Sequence, residues 1–139
     1  MRRMVLLLLL AAGCAHQAMP KQASLYERLG GREAISAVVD KFVARTAKDP
    51  RISARFANVD APHLRAAMVD HIGEATGGPF KYSGKDMRAA HLGMNITAEE
   101  FAAFMEDLKS VLDELKVPAR ETQEVLAFFN SLKGDTVGR

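Results

Sequence analysis

The chain has 139 residues, enough for one domain with a buried core. A single cysteine and no tryptophan exclude a disulfide framework and a cysteine-rich zinc site. The formal charge of +2 includes Arg2 and Arg3. Without these two of its 19 basic residues, 17 stand against 17 acidic ones, and so neutral a domain offers no basic surface for nucleic acid.

Met1 to Cys14 has the composition of a targeting segment: Arg2-Arg3, the apolar run Met4 to Leu10, then Ala11-Ala12-Gly13 before the lone cysteine. The run is far shorter than the roughly 20 residues needed to span a bilayer. Ala11-Ala12-Gly13-Cys14 resembles a bacterial lipoprotein signal, in which Cys14 is lipidated and becomes the new N-terminus. An ordinary secretory signal cut nearby, or an uncleaved leader, is the alternative. Residues 15–23 then form a polar tether, and the expected location is the cell envelope or periplasm, with the membrane met only through the lipid anchor.

The predicted domain covers residues 24–133. Ser24-Leu25-Tyr26-Glu27 has capping-box spacing, and Gly30-Gly31 ends that first turn. Ile35, Val38, Val39, Phe42 and Thr46 recur at helical spacing from Arg32 to about Ala47, and Pro50 stops the pattern. Ile52 to Phe56 is a short apolar segment. Asp60 and Pro62 open a helix to about Ala75 with Leu64, Met68, His71 and Ile72 on one face, closed by Gly77-Gly78-Pro79. Lys85 to Leu92 reads as a short helix carrying His91, broken by Gly93. Thr97-Ala98-Glu99-Glu100 is a second capping box, opening a helix to about Lys116 with Phe101, Phe104, Leu108 and Leu115 inward. Arg120 to Leu132 is the last main helix, and residues 134–139 are expected to be a loose polar tail. No strand alternation is present, so the fold class is all-α. A lone histidine on an apolar face is ordinarily a core residue; its setting singles out His91.

The ordered set Leu25-Tyr26-Glu27-Arg28-Leu29-Gly30-Gly31, Glu33-Ala34-Ile35, Phe56, Gly77-Gly78-Pro79, Tyr82-Ser83-Gly84, Met87 and His91 resembles the bacterial truncated haemoglobins of group I. The resemblance covers roughly Ser24 to Ser131. It implies a truncated globin, a two-over-two helical sandwich around haem b, with His91 as proximal iron ligand and its second ring nitrogen donating to a backbone carbonyl. Met87 is then placed on the haem, with Ile96, Phe101 and Phe104 at the proximal and inner edges. Phe42, Val43, Phe56, Leu64 and Met68 cover the distal side. His63, Arg65, Lys81 and Tyr82 are the candidates for propionate contacts.

The sequence departs from the family at two positions. Val43 stands where group I members usually have a tyrosine, and Met68 where they often have a glutamine. Neither Tyr26 nor Tyr82 lies in that helix. A hydrogen bond to a charged partner contributes roughly 1.5–3 kcal/mol, so without such a donor dioxygen is expected to be retained about 10- to 100-fold less well. The leading expectation is a five-coordinate haem protein that binds or carries dioxygen, carbon monoxide and nitric oxide in an apolar pocket, with an external reductase as redox partner. Binding is favoured over catalysis; nitric-oxide dioxygenase and peroxidase activities have weaker support. The alternatives are an envelope electron-transfer or peroxidase-like haem protein, in which Met68 or His71 acts on the distal side, and a haemless helical scaffold.

Overall fold

The computed structural model describes residues 22–139. The leader, Cys14 and most of the tether lie outside the described residues. Ser24 caps α1 (Leu25–Leu29): its hydroxyl accepts from the Glu27 amide while the Glu27 carboxylate accepts from the Ser24 amide. The chain then turns through Gly30 in a left-handed conformation (φ +100°), which glycine adopts without steric cost, into α2 (Gly31–Thr46). A 3₁₀ turn at Ser53–Arg55 leads to α3 (Ala61–Ala75), whose Asp60 cap and Pro62 fix its start. α4 (Met87–His91) is a single turn capped by Asp86, and α5 (Ala98–Glu114) opens on the Thr97–Glu100 capping box. α6 (Ala119–Ser131) and α7 (Lys133–Thr136) complete the chain.

α2 packs along α3 and α5 packs along α6, and α2 also lies against α5, so one helix pair covers the other. The shared core takes Ile35, Val39, Phe42 and Val43 from α2, Val69 and Ile72 from α3, Leu108, Val111 and Leu112 from α5, and Val125 and Phe129 from α6. Each such side chain contributes roughly 1.5–3 kcal/mol by leaving water. α1 is fastened to both layers. The Tyr26 amide donates to the Thr76 carbonyl at 2.8 Å, and Arg28 pairs with Glu121 (2.8 Å) and Glu124 of α6. The α3 corner is tight at Gly73, where a Cβ would lie 1.9 Å from the Phe80 ring.

The expected loose tail is a correction. Residues 133–136 form α7, Thr136 is buried, and α7 packs against α4. Beyond it Val137 forms an isolated parallel bridge with Ile96, and the Gly138 amide donates to the Ile96 carbonyl at 2.9 Å. Two glycines and a polar composition conceal this order, because it comes from pairing with a distant segment rather than from local helical preference. The short helix also starts later than expected, at Met87, since Asp86 caps it through the Ala89 amide. Among the described residues there is no strand, and no helix is long and apolar enough to cross a membrane.

Candidate functional site

His91 is the last residue of α4. Its Nδ1 lies 2.7 Å from the Met87 carbonyl oxygen, one turn back. A carbonyl can only accept, so Nδ1 carries a proton and donates, which makes Nε2 the nitrogen able to ligate. The ring is half-buried, and Met87 beside it is half-buried as well. The contact fixes the ring plane and, for the metal-binding form of the ring, the tautomer.

The apolar residues assigned to the distal side, together with Phe104 of the inner edge, form two tiers. Phe42 and Val43 are fully buried in the core, while Leu64, Met68 and Phe104 pack against that core and stay half-buried. Phe56 is also half-buried, immediately after the 3₁₀ turn. The Phe42 and Phe104 rings meet edge to face with centroids 4.7 Å apart. Phe104 continues to Phe101 (6.2 Å) and to Phe129 (5.5 Å). Ile96 and Phe101 turn out to serve the C-terminal segment as well: Ile96 bridges to Val137, and the Lys133 ammonium lies 6.0 Å from the Phe101 ring centre.

His71 is half-buried. Its ring lies 4.7 Å from Tyr82 and 5.3 Å from Phe128, and burial pushes its pKa below the usual imidazole range against the opposing pull of Glu74. It is thus a neutral member of an aromatic cluster. Phe128 and Phe129 of α6 join this cluster to Phe104. Only the fold shows that they connect His71 to the Phe42 side.

The four rim candidates each have a local engagement. Arg65 Nε lies 3.2 Å from Asp40 Oδ1, in ion-pair range but not aligned as a hydrogen bond. Lys81 pairs with Glu74 at 3.0 Å, and the Tyr82 hydroxyl donates to the Lys85 carbonyl at 2.8 Å. His63 is exposed on the first turn of α3, its amide donating to Asp60. The Glu74 carboxylate, bonded by the Tyr82 amide and then by Lys81, is held below the usual carboxylate range. The Lys81 and Tyr82 contacts order the loop between α3 and α4.

A contact missing from the sequence reading ties this region together. Arg55 makes a two-pronged pair with Glu100 at 2.7 and 2.9 Å and also donates to the Met94 carbonyl at 2.8 Å. Separately, a cavity of about 280 Å³ lies between α2, α5 and α6, lined by Leu29, Ile35, Val38, Leu112 and Val125 among others, and no residue of α4 borders it.

This arrangement matches known proteins over most of its length. The family model "Bacterial-like globin" matches residues 24–137. The chain is similar to the group 1 truncated hemoglobin of Tetrahymena pyriformis, with 34% identity over 121 residues that cover 87% of this chain and all of the relative. A solved structure of the Tetrahymena protein in the Fe(III) form superposes with a TM-score of 0.80 over 84% of this chain and all of that one, at 33% identity. Group 1 truncated hemoglobin GlbN of Synechocystis is 40% identical over 109 residues, covering 76% of this chain and 88% of the relative. The 2/2 hemoglobin of Synechococcus, solved with covalently attached heme, gives a TM-score of 0.78 at 33% identity over 84% of this chain and all of that one. With its helix pairs stacked two over two, the chain belongs to the bacterial-like globin family as a homologue of the group 1 truncated haemoglobins, haem-binding proteins that take diatomic ligands.

Proposed function

We propose that this chain holds haem b through His91 and binds dioxygen, carbon monoxide and nitric oxide on the opposite, apolar side of the cofactor. The carrying observation is the 2.7 Å contact between His91 Nδ1 and the Met87 carbonyl, which leaves Nε2 free to ligate. A lone imidazole holds iron when a macrocycle supplies the equatorial ligands, and the iron then provides an open coordination position for a diatomic molecule. The donor set fits such a group. Met87, Phe56, Leu64, Met68 and Phe104 keep apolar surface only half-covered, and a flat apolar ring system would cover it.

Each residue has a definable task. Met87 fixes the tautomer of His91 with its backbone and presents its thioether beside it. Phe42, Val43, Leu64 and Met68 exclude water and offer no hydrogen-bond donor, which favours ligands that depend little on one. Arg65, His63, Lys81 and Tyr82 supply cations and donors at the rim, where the acidic groups of the cofactor meet solvent. His71 keeps its place in the aromatic cluster. We further propose that residues 1–14 are an export leader ending at Cys14, which carries the lipid anchor, that residues 15–23 are a tether, and that an external reductase restores ferrous iron in the envelope.

The test is an absorption spectrum of residues 15–139 reconstituted with haem, in ferric, ferrous and ferrous-carbonyl states, beside His91→Ala. A five-coordinate ferrous form that takes carbon monoxide, with haem loss or gross weakening in the variant, supports the proposal. A six-coordinate ferrous form without added ligand moves the reading to electron transfer with Met68 or His71 as sixth ligand. Failure to take up stoichiometric haem would leave a helical scaffold.

A further inference from the structure

We propose that Arg55 is a positioning residue for His91, a strut between the turn that carries Phe56 and the loop that carries the histidine. The proposal rests on the reading of His91 as iron ligand. α4 has five residues, and so short a helix does not fix its own orientation. Its direction comes from α7, against which it packs, and from what grips the loop that follows.

Three of the Arg55 guanidinium nitrogens are committed to that grip. Nε and Nη2 donate to the two oxygens of Glu100 at 2.7 and 2.9 Å, and Nη1 donates to the Met94 carbonyl at 2.8 Å. The guanidinium is planar, so three directed bonds set its position and angle, which a lysine ammonium cannot reproduce. Both ends of the strut are themselves fixed. Glu100 is locked in the capping box with Thr97, accepting from the Thr97 amide at 2.8 Å. Met94 leads directly to His91, because its amide donates to the His91 carbonyl at 3.0 Å. From the other side the same loop is held by residues 137–139, through Gly138 to the Ile96 carbonyl and through Asn95 to the Arg139 carbonyl. Side-chain exposures of 33% for Arg55 and 20% for Glu100 leave the pair partly screened. Direction rather than raw charge is therefore what the strut supplies.

One side chain thus ties the Phe56 turn to the His91 loop. Loosening it lets α4 tilt, which strains or lengthens the bond from His91 to the iron. The experiment uses holoprotein of residues 15–139 with Arg55→Ala, Arg55→Lys and Glu100→Gln. Arg51→Ala is the reference, since Arg51 pairs with Asp49 and Glu106 and does not touch the loop. Two quantities are read: the iron–histidine stretching band of the ferrous form, and the rate of haem transfer to an excess of an apo-globin acceptor.

The expected result is a shifted or split band and about tenfold faster haem loss in the Arg55 variants, the usual size for loss of an outer-shell partner. Glu100→Gln falls between, and Arg51→Ala stays at the starting values. If Arg55→Ala does not fold, Arg55→Lys and Glu100→Gln carry the test. Wild-type band and wild-type haem loss in both, whatever their thermal stability, overturn the strut while leaving His91 as ligand. Retention of the same band in His91→Ala overturns the ligand assignment, and the strut with it.

Discussion

At the scale of single residues, the proposed function makes Met68 the position where dioxygen affinity is tested. It packs half-buried against the core in the helix that carries Leu64. Val43, in the core against which Met68 packs, is buried and equally without a donor. Bound dioxygen draws negative charge onto its outer atom, and an amide N–H directed at that atom contributes on the scale of a charge-assisted hydrogen bond, roughly 1.5–3 kcal/mol. Met68→Gln is nearly volume-conserving, so it introduces a donor with little repacking. Stopped-flow measurement should show dioxygen dissociation slowed by at least about tenfold, with carbon monoxide release changed far less. An unchanged dioxygen off-rate would mean that residue 68 does not face the bound ligand. His71 was the other distal candidate. Its ring is held between Tyr82 and Phe128 and kept neutral by burial, which suits a wall of the aromatic cluster better than a mobile ligand.

At the scale of elements, the sequence announced helices through their ends. α3 was legible from Ala61 to Ala75 because Asp60, Pro62 and Gly77-Gly78 punctuate it, and α5 because Thr97 and Glu100 form a capping box. What stayed hidden is contact between distant segments. Arg55 and Glu100 are 45 positions apart and nothing in their spacing pairs them. The order of residues 133–139 likewise depends on Ile96. His91 was legible as a ligand candidate from its short apolar turn, but the rim residues were placed by position alone, and Arg65 and Lys81 have carboxylate partners of their own. The packing role of Gly73 was also invisible. There the backbone of α3 accepts the Phe80 ring, which in turn meets Tyr26 edge to face at 5.5 Å. Gly73→Ala puts a methyl into that ring and should cost about 1–3 kcal/mol of overpacking, read as a lower midpoint in urea unfolding. Pairing it with Phe80→Leu should recover part of the loss, since the smaller side chain makes room.

At the scale of the whole molecule, ion pairs stitch the elements together and set a direction for the effect of acid. Arg28 beside Glu121 holds that carboxyl below the usual range, Arg55 does the same for Glu100, and Arg51 for Asp49. A carboxylate whose folded pKa is depressed adds stability that is complete above its unfolded pKa. That stability is lost as pH falls through the ordinary carboxylate range toward the depressed value. Asp107 runs the other way. Burial, then the nearby charge of Asp49, raises its pKa, so its own contribution falls as pH climbs above the ordinary aspartate range. With Glu74 and Glu114 also held below the usual range, five depressed carboxylates against one raised predict a net loss of stability on acidification, and thermal melts between about pH 5 and pH 3 check it. Glu121→Gln should make that fall shallower, by removing the link between α1 and α6; an equally steep fall in the variant would assign the acid response elsewhere.

The bridge between Ile96 and Val137 joins residues 41 positions apart, and that separation has a consequence for biosynthesis. Domains acquire structure as the ribosome delivers them from the N-terminus onward, and contacts this distant in sequence form late. The histidine turn emerges with its Arg55 and Glu100 partners but without its closing segment. On the proposed function, full-strength cofactor capture therefore waits for residues 133–139, and a nascent chain arrested before Lys133 is expected to hold haem more weakly than one that has delivered them.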